Sequence, residues 1–191
     1  MARARQFDGE KALEQALTLF RKQGYHASSL ADLMKAMGLS RSSFYATFGS
    51  KHELFLATLA SFDKTAAIYN VIEPDSGLPS KALLAQVFAR AIASVIGGQG
   101  GCLFGNCAVE FSSADQPVLD HVTNGMQQLQ EMFVEVIEIG QRKGDVPKDT
   151  SAQAIASNLV ATYYGIQTMA KAGLSLDALK QVISQALLQL D

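Results

Sequence analysis

The chain has little of what catalytic, metal-binding or disulfide-stapled proteins rely on. Its 191 residues hold two cysteines, three histidines and no tryptophan. Cys102 and Cys107 are too few for a disulfide framework, and no second Cys or His pair stands at zinc-ligand spacing, so no structural metal or cofactor is expected. His26, His52 and His121 fall in three separate segments, and none stands at helical-neighbour spacing from a cysteine. That speaks against an activated nucleophile pair, and so against an enzyme. No apolar run approaches the roughly 18 to 20 residues that span a bilayer, and the N-terminus MARARQFDGEKALEQ lacks the apolar core of a signal peptide. The expected location is the cytoplasm, with no membrane contact. Proline is scarce as well: all four, at 74, 79, 117 and 147, lie beyond residue 73, which leaves glycine as the breaker in the first third.

What is present favours helices. With 48% hydrophobic residues, the chain can bury one sizeable core, or a small domain joined to a larger one. Ala12, Leu13, Ala16, Leu17 and Phe20 follow the spacing of a helical stripe that Gly24 would end. Ser29 with Asp32 three residues on resembles a capping box, and Leu30, Leu33 and Met34 give a short second helix up to Gly38. Ser40 caps a third helix to about Phe48, and Gly49 and Ser50 introduce a fourth over 51–72. The segment EPDSGLPS, residues 73–80, reads as a linker. Beyond it lie KALLAQVFARAIASVI, the glycine-rich GGQGG, the short CLFGNCAVEFSS, a long helix from about Pro117 to Arg142, and two last helices over 150–173 and 175–190. No strand alternation is sustained, so the expected fold is all-α. Its expected parts are a three-helix head over 1–52, a connecting helix over 53–73 and a helical body over 74–191.

Charge divides along the same line. Residues 1–52 carry eight Lys or Arg against four acids, a net of +4, while the remainder carries eight against fourteen, a net of -6. A basic head on an acidic body suits a polyanionic partner for the head. Two short helices joined through Gly38 form a helix-turn-helix, whose second helix can enter the DNA major groove. Its serines are poor helix formers but let a backbone approach a duplex closely. Phe44 and Phe48 should face inward with Leu33 and Leu39, leaving Arg41, Ser42, Tyr45 and Ala46 outward. Arg41 could donate two hydrogen bonds to a guanine edge, and hydroxyls together with Lys51 suit phosphate oxygens.

The stretch GYHASSLADLMKAMGLSRSSFYATFGSKHELF resembles the DNA-binding signature of the TetR family of bacterial transcriptional repressors. Gly24, Tyr25, Gly38, Leu39, Ser40, Tyr45, Phe48, Ser50, Lys51 and Leu54 match that signature position for position. Ser42 stands where the family usually has Gly, and Thr47 where it often has His. The resemblance implies phosphate contacts at Tyr45 and Lys51, and the full candidate DNA-binding set is Ser28, Ser29, Ser40, Arg41, Ser42, Ser43, Tyr45, Thr47 and Lys51. It also implies a homodimer on a palindromic double-stranded operator, released by a small-molecule or electrophile inducer held within the body.

In the body, Ser157, Ala161 and Gly165 form a small-residue face, and Leu176, Leu179, Ile183, Ala186 or Leu187, and Leu190 a seam near heptad spacing. An intramolecular core explains these residues almost as well. The resemblance implies a dimer interface, for which Ala161, Gly165, Leu176, Leu179, Ile183 and Leu187 are the candidates. Aromatic and methionine side chains crowd the middle helices, where core packing is their ordinary role; Phe104, Phe111, Met126, Phe133 and Tyr163 are the candidate inducer contacts. Cys102 follows GGQGG at a probable helix start, where unpaired N–H groups would favour a reactive thiolate, and GGCLFGNCAVE resembles an electrophile-responsive subgroup of the family. A small hydrophobe at a crowded helix start is the other reading of Cys102, and Cys107 reads as buried and inert. A ligand-free architectural DNA-binding protein remains the other non-enzymatic reading, although the acidic body exceeds what it needs.

Overall fold

The computed structural model describes residues 9–65, 77–111 and 115–191. Helices alone make up its regular structure among these residues: α1 (Gly9–Gln23), α2 (Leu30–Met37), α3 (Arg41–Phe48), α4 (Lys51–Thr65), α5 (Ser80–Ile96), α6 (Leu103–Glu110), α7 (Gln116–Lys143), α8 (Ala152–Lys171) and α9 (Leu176–Leu187), closed by a 3-10 turn at Leu188–Leu190. The rest of the expected fourth helix, 66–72, and the linker up to residue 76 lie outside the described residues.

Capping chemistry sets the boundaries. Ser29 Oγ accepts the Asp32 amide at 3.1 Å, but the short Asp32 carboxylate takes the Ser29 hydroxyl at 2.6 Å, so the box is made side chain to side chain on its return arm. Gly38 ends α2 at φ 66°, the left-handed value that a Cβ would oppose. Ser40 caps α3 through the Ser43 amide, and Ser50 caps α4 through the Glu53 amide. The long helix begins one residue before Pro117, with Asp115 as its N-cap, and ends at Gly144. At the start of α5, the amide of buried Ser80 donates to Asp145 at 2.7 Å and its hydroxyl to the Val136 carbonyl at 2.9 Å, which ties this helix to α7.

Two cores form. One unites α5, α7, α8 and α9 around Phe88, Phe133, Ile137, Leu159 and Ile166. The other is the core of the head, with Phe20, Leu33, Phe44, Leu54 and Phe55, and it extends into α6 and α7 through Leu103, Phe104, Cys107, Val118 and Val122. The first four helices therefore share buried apolar surface with α6 and the first turns of α7, and that sharing positions the functional sites.

Candidate nucleic-acid interface and cavity

On α3 one face is spent on the core and the rest is left to solvent. Phe44 is fully buried and Phe48 half-buried, while Arg41, Ser42, Ser43, Tyr45, Ala46 and Thr47 are exposed. The Arg41 guanidinium stands 5.8 Å from the Tyr45 ring centre, so a cation–π contact steadies it above the surface. Ser40 Oγ lies 3.0 Å from Ser42 Oγ and 2.9 Å from Ser43 Oγ, which gathers three hydroxyls at the helix start. Ser29 is exposed at the N-terminus of α2. Lys51 places its ammonium 4.2 Å from the Tyr25 ring centre, and burial pulls its pKa below the ordinary lysine value, against an upward pull from Glu110. Ser28 departs from expectation: it is fully buried and its hydroxyl donates to the Gly24 carbonyl at 2.6 Å, so it braces the turn before α2 and cannot reach a phosphate.

A cavity of about 360 Å³ opens between the head and the body. Cys102, Phe104 and Tyr163 line it as expected. The other three candidates do not. Phe111 stacks on Phe55 at 5.3 Å within an aromatic cluster that includes Tyr25, Phe133 is fully buried against Phe88, and Met126 packs on the head-side core. Arg21, Arg90, Tyr164 and Gln167 line the cavity and were not anticipated. Cys102 is the N-cap of α6 and stands half-buried on the cavity wall, and burial pushes its pKa up against the Gly105 and Phe104 amides, Arg21 and Tyr164. Burial thus opposes the expected thiolate, while the amides of the helix start and Arg21 favour it. Cys107 is buried and pushed up to about 12, by burial first and then by Glu110 and Cys102.

Head and body are joined by polar bonds of long sequence range. Arg21, in the last turn of α1, donates Nε to the Gly101 carbonyl at 2.9 Å and Nη2 to Ser94 Oγ at 2.8 Å. Asn106 donates to the Arg21 carbonyl at 3.3 Å. A Cβ on Gly100 would stand 2.0 Å from that same carbonyl, so only glycine lets the loop approach α1 so closely. At the far end of α6, Glu110 accepts the Tyr25 and His26 amides at 2.8 and 2.6 Å, and His52 meets Asp115 at 2.9 Å. α6 thus grips the head at both ends.

The dimer candidates separate by exposure. Leu179 and Leu187 are buried in the chain's own core, so they hold α9 to its own bundle and are not available to a second subunit. Leu176 and Ala161 are exposed, Ile183 is half-buried, and open space lies over Gly165.

Residues 12–58 match the bacterial regulatory proteins of the tetR family, and residues 81–186 match the tetracyclin repressor-like C-terminal domain. The HTH-type transcriptional repressor ComR of Escherichia coli is 30% identical over 97% of this chain and 90% of its own length. The repressor DhaR of a Mycobacterium species is 30% identical over 80% of this chain and 77% of its own. A cysteine mutant of the regulator CifR, solved with 26-bp operator DNA, superposes with a TM-score of 0.85 at 27% identity, covering 99% of this chain and all of that one. With α3 exposed, α6 gripping the head, and both halves matched, the chain belongs to the TetR family of bacterial transcriptional regulators.

Proposed function

We propose that the chain is a repressor that binds a palindromic operator as a homodimer and lets go when a small molecule fills the cavity. The carrying observation is the α3 surface, where Arg41, Ser42, Ser43, Tyr45 and Thr47 stand together in solvent above a single buried anchor, Phe44. A helix with such a face suits a major groove, with Arg41 on a base edge and Tyr45, Lys51, Ser29 and Ser40 on the backbone. The operator complex of CifR supports the same docking here. Two-fold pairing would use exposed Ala161 and Leu176 together with half-buried Gly165 and Ile183 on α8 and α9. The head is taken as 1–52, the connector as 53–73 and the body as 74–191. Of the two inducer classes, a reversible ligand fits better than an electrophile, because burial keeps the Cys102 thiol from ionising readily.

Selection of bound duplexes from random DNA tests the reading. The expected product is an inverted repeat whose half-sites lie about one helical turn apart. Recovery of no common sequence, with uniform affinity for all duplexes, would overturn it in favour of an architectural role.

A further inference from the structure

The cavity is cationic on an otherwise apolar frame. Arg21 reaches it from α1 and Arg90 from α5, and among the described residues no Asp or Glu lines it. Arg90 is exposed, whereas Arg21 is half-buried and lies 5.9 Å from the Phe62 ring centre. The bonds from Arg21 to the Gly101 carbonyl and Ser94 hydroxyl engage two of the five guanidinium donors and neutralise no charge. Carrying a cation out of water against neutral acceptors is costly, and burial accordingly pulls Arg21 below its ordinary value. Val87, Ala91, Phe104 and Leu129 supply apolar wall, and Tyr163 and Gln167 add polar atoms within it. About 360 Å³ is room for a small organic molecule.

We propose that this cavity takes a small amphipathic anion, an aromatic or alkyl carboxylate, whose head pairs with Arg21 and Arg90 while its apolar body lies against Phe104 and Leu129. The inference rests on the cavity being the effector site of a DNA-releasing repressor. A planar guanidinium and a carboxylate match in two parallel hydrogen bonds, stronger than those Arg21 now makes. An anion that takes the Nε–Nη2 edge competes for the same two donors and so draws Arg21 off the Gly101 carbonyl and Ser94. Those two bonds hold the last turn of α1 to the loop before α6, so the anion reaches the reading head through the residue that binds it. Arg21 is then both a ligand contact and the coupling residue.

The test uses the full chain and three pairs of probes: phenylacetate, octanoate and naphthoate, each beside its primary amide, titrated by calorimetry. In wild type at least one acid should bind about tenfold or more tighter than its amide, and Arg90→Met or Arg21→Met should reduce that preference to about threefold or less. Arg21→Lys, which keeps the charge but loses the fork, should fall between. Circular dichroism checks folding, and Arg90→Met, at an exposed position, carries the test if Arg21→Met does not fold. Amides that bind as tightly as acids, no binding by any probe, or an acid preference untouched by the substitutions would each overturn the proposal. Anisotropy of a labelled selected duplex separates the two readings. An acid that binds selectively yet leaves the duplex bound refutes release and keeps the ligand class. An amide that binds equally and frees the duplex refutes the ligand class and keeps release.

Discussion

The head helix α3 and the closing helix α9 carry apolar residues to opposite effect. α3 spends one fully buried residue, Phe44, to hold an eight-residue helix whose other positions are mostly left to solvent. α9 spends Leu179 and Leu187 on its own bundle and leaves Leu176 exposed at 44%, as the turn that closes it leaves Leu188 exposed at 49%. An exposed polar face beside a buried aromatic suits a polyanion, whereas exposed leucines beside buried ones suit a second apolar surface. Stability and recognition are thus assigned to different residues within each helix, and substitutions should separate them.

The largest separation is expected in α9. Leu179→Glu would bury a carboxylate in the body core, where desolvation costs several kcal/mol, and should leave little folded protein by circular dichroism. Leu176→Glu, one turn earlier and exposed, should keep the helix content and thermal midpoint but shift sedimentation toward a monomer. Equal loss of helix in both would break the contrast. Next in size, Phe44→Ala should cost about 3 to 5 kcal/mol of head stability by denaturant unfolding, because the ring is fully buried among Leu33, Leu54 and Phe48. Arg41→Ala should leave stability within about 0.5 kcal/mol, yet lose roughly 1 to 3 kcal/mol on the preferred duplex and relax choice at one base pair. Lys51→Ala should weaken all duplexes alike and lower the salt slope by about one per subunit. If Arg41→Ala and Lys51→Ala lose affinity in the same sequence-independent way, Arg41 does not read a base.

The helices themselves were legible in the sequence because their ends are written locally: Ser29, Gly38, Ser40, Ser50 and Gly144 cap where their chemistry requires. The exposed face of α3 was legible for the same reason, once Phe44 was placed inward. Ser28 was not, since a serine beside a turn can point to solvent or, as here, back to the Gly24 carbonyl. The leucine seam of α9 carried no sign of whether its partner was its own bundle or a second subunit. For the cavity, the missing information was long-range. Arg21 meets Gly101 across 80 positions and Glu110 meets Tyr25 across 85, distances over which no spacing rule operates. Cys102 differs: it stands at the start of α6 as expected, but the packing that half-buries it comes from two cores assembled over long sequence range, which no local spacing shows.

The smallest expected effect concerns the two thiols, which sharpen the comparison between exposed and enclosed chemistry. Both are raised by burial, Cys107 to about 12 and Cys102 in the same direction. A raised folded value means that the folded chain keeps its proton where the unfolded chain has lost it. Each thiol therefore adds its stability fully below the ordinary thiol value of about 8.5, and that stability is lost as pH climbs from there toward the folded value. For Cys107, the loss between about pH 8 and about pH 9.5 should be near 1 kcal/mol. Cys107→Ala removes that slope while wild type and variant share every other titration, so the difference between their unfolding free energies isolates it. The raised pKa values should make N-ethylmaleimide at neutral pH react more slowly with half-buried Cys102 than with a free cysteine peptide, and slowest with fully buried Cys107. Mass mapping that found Cys102 modified faster than the peptide would restore the thiolate at the start of α6 and, with it, an electrophile as the signal.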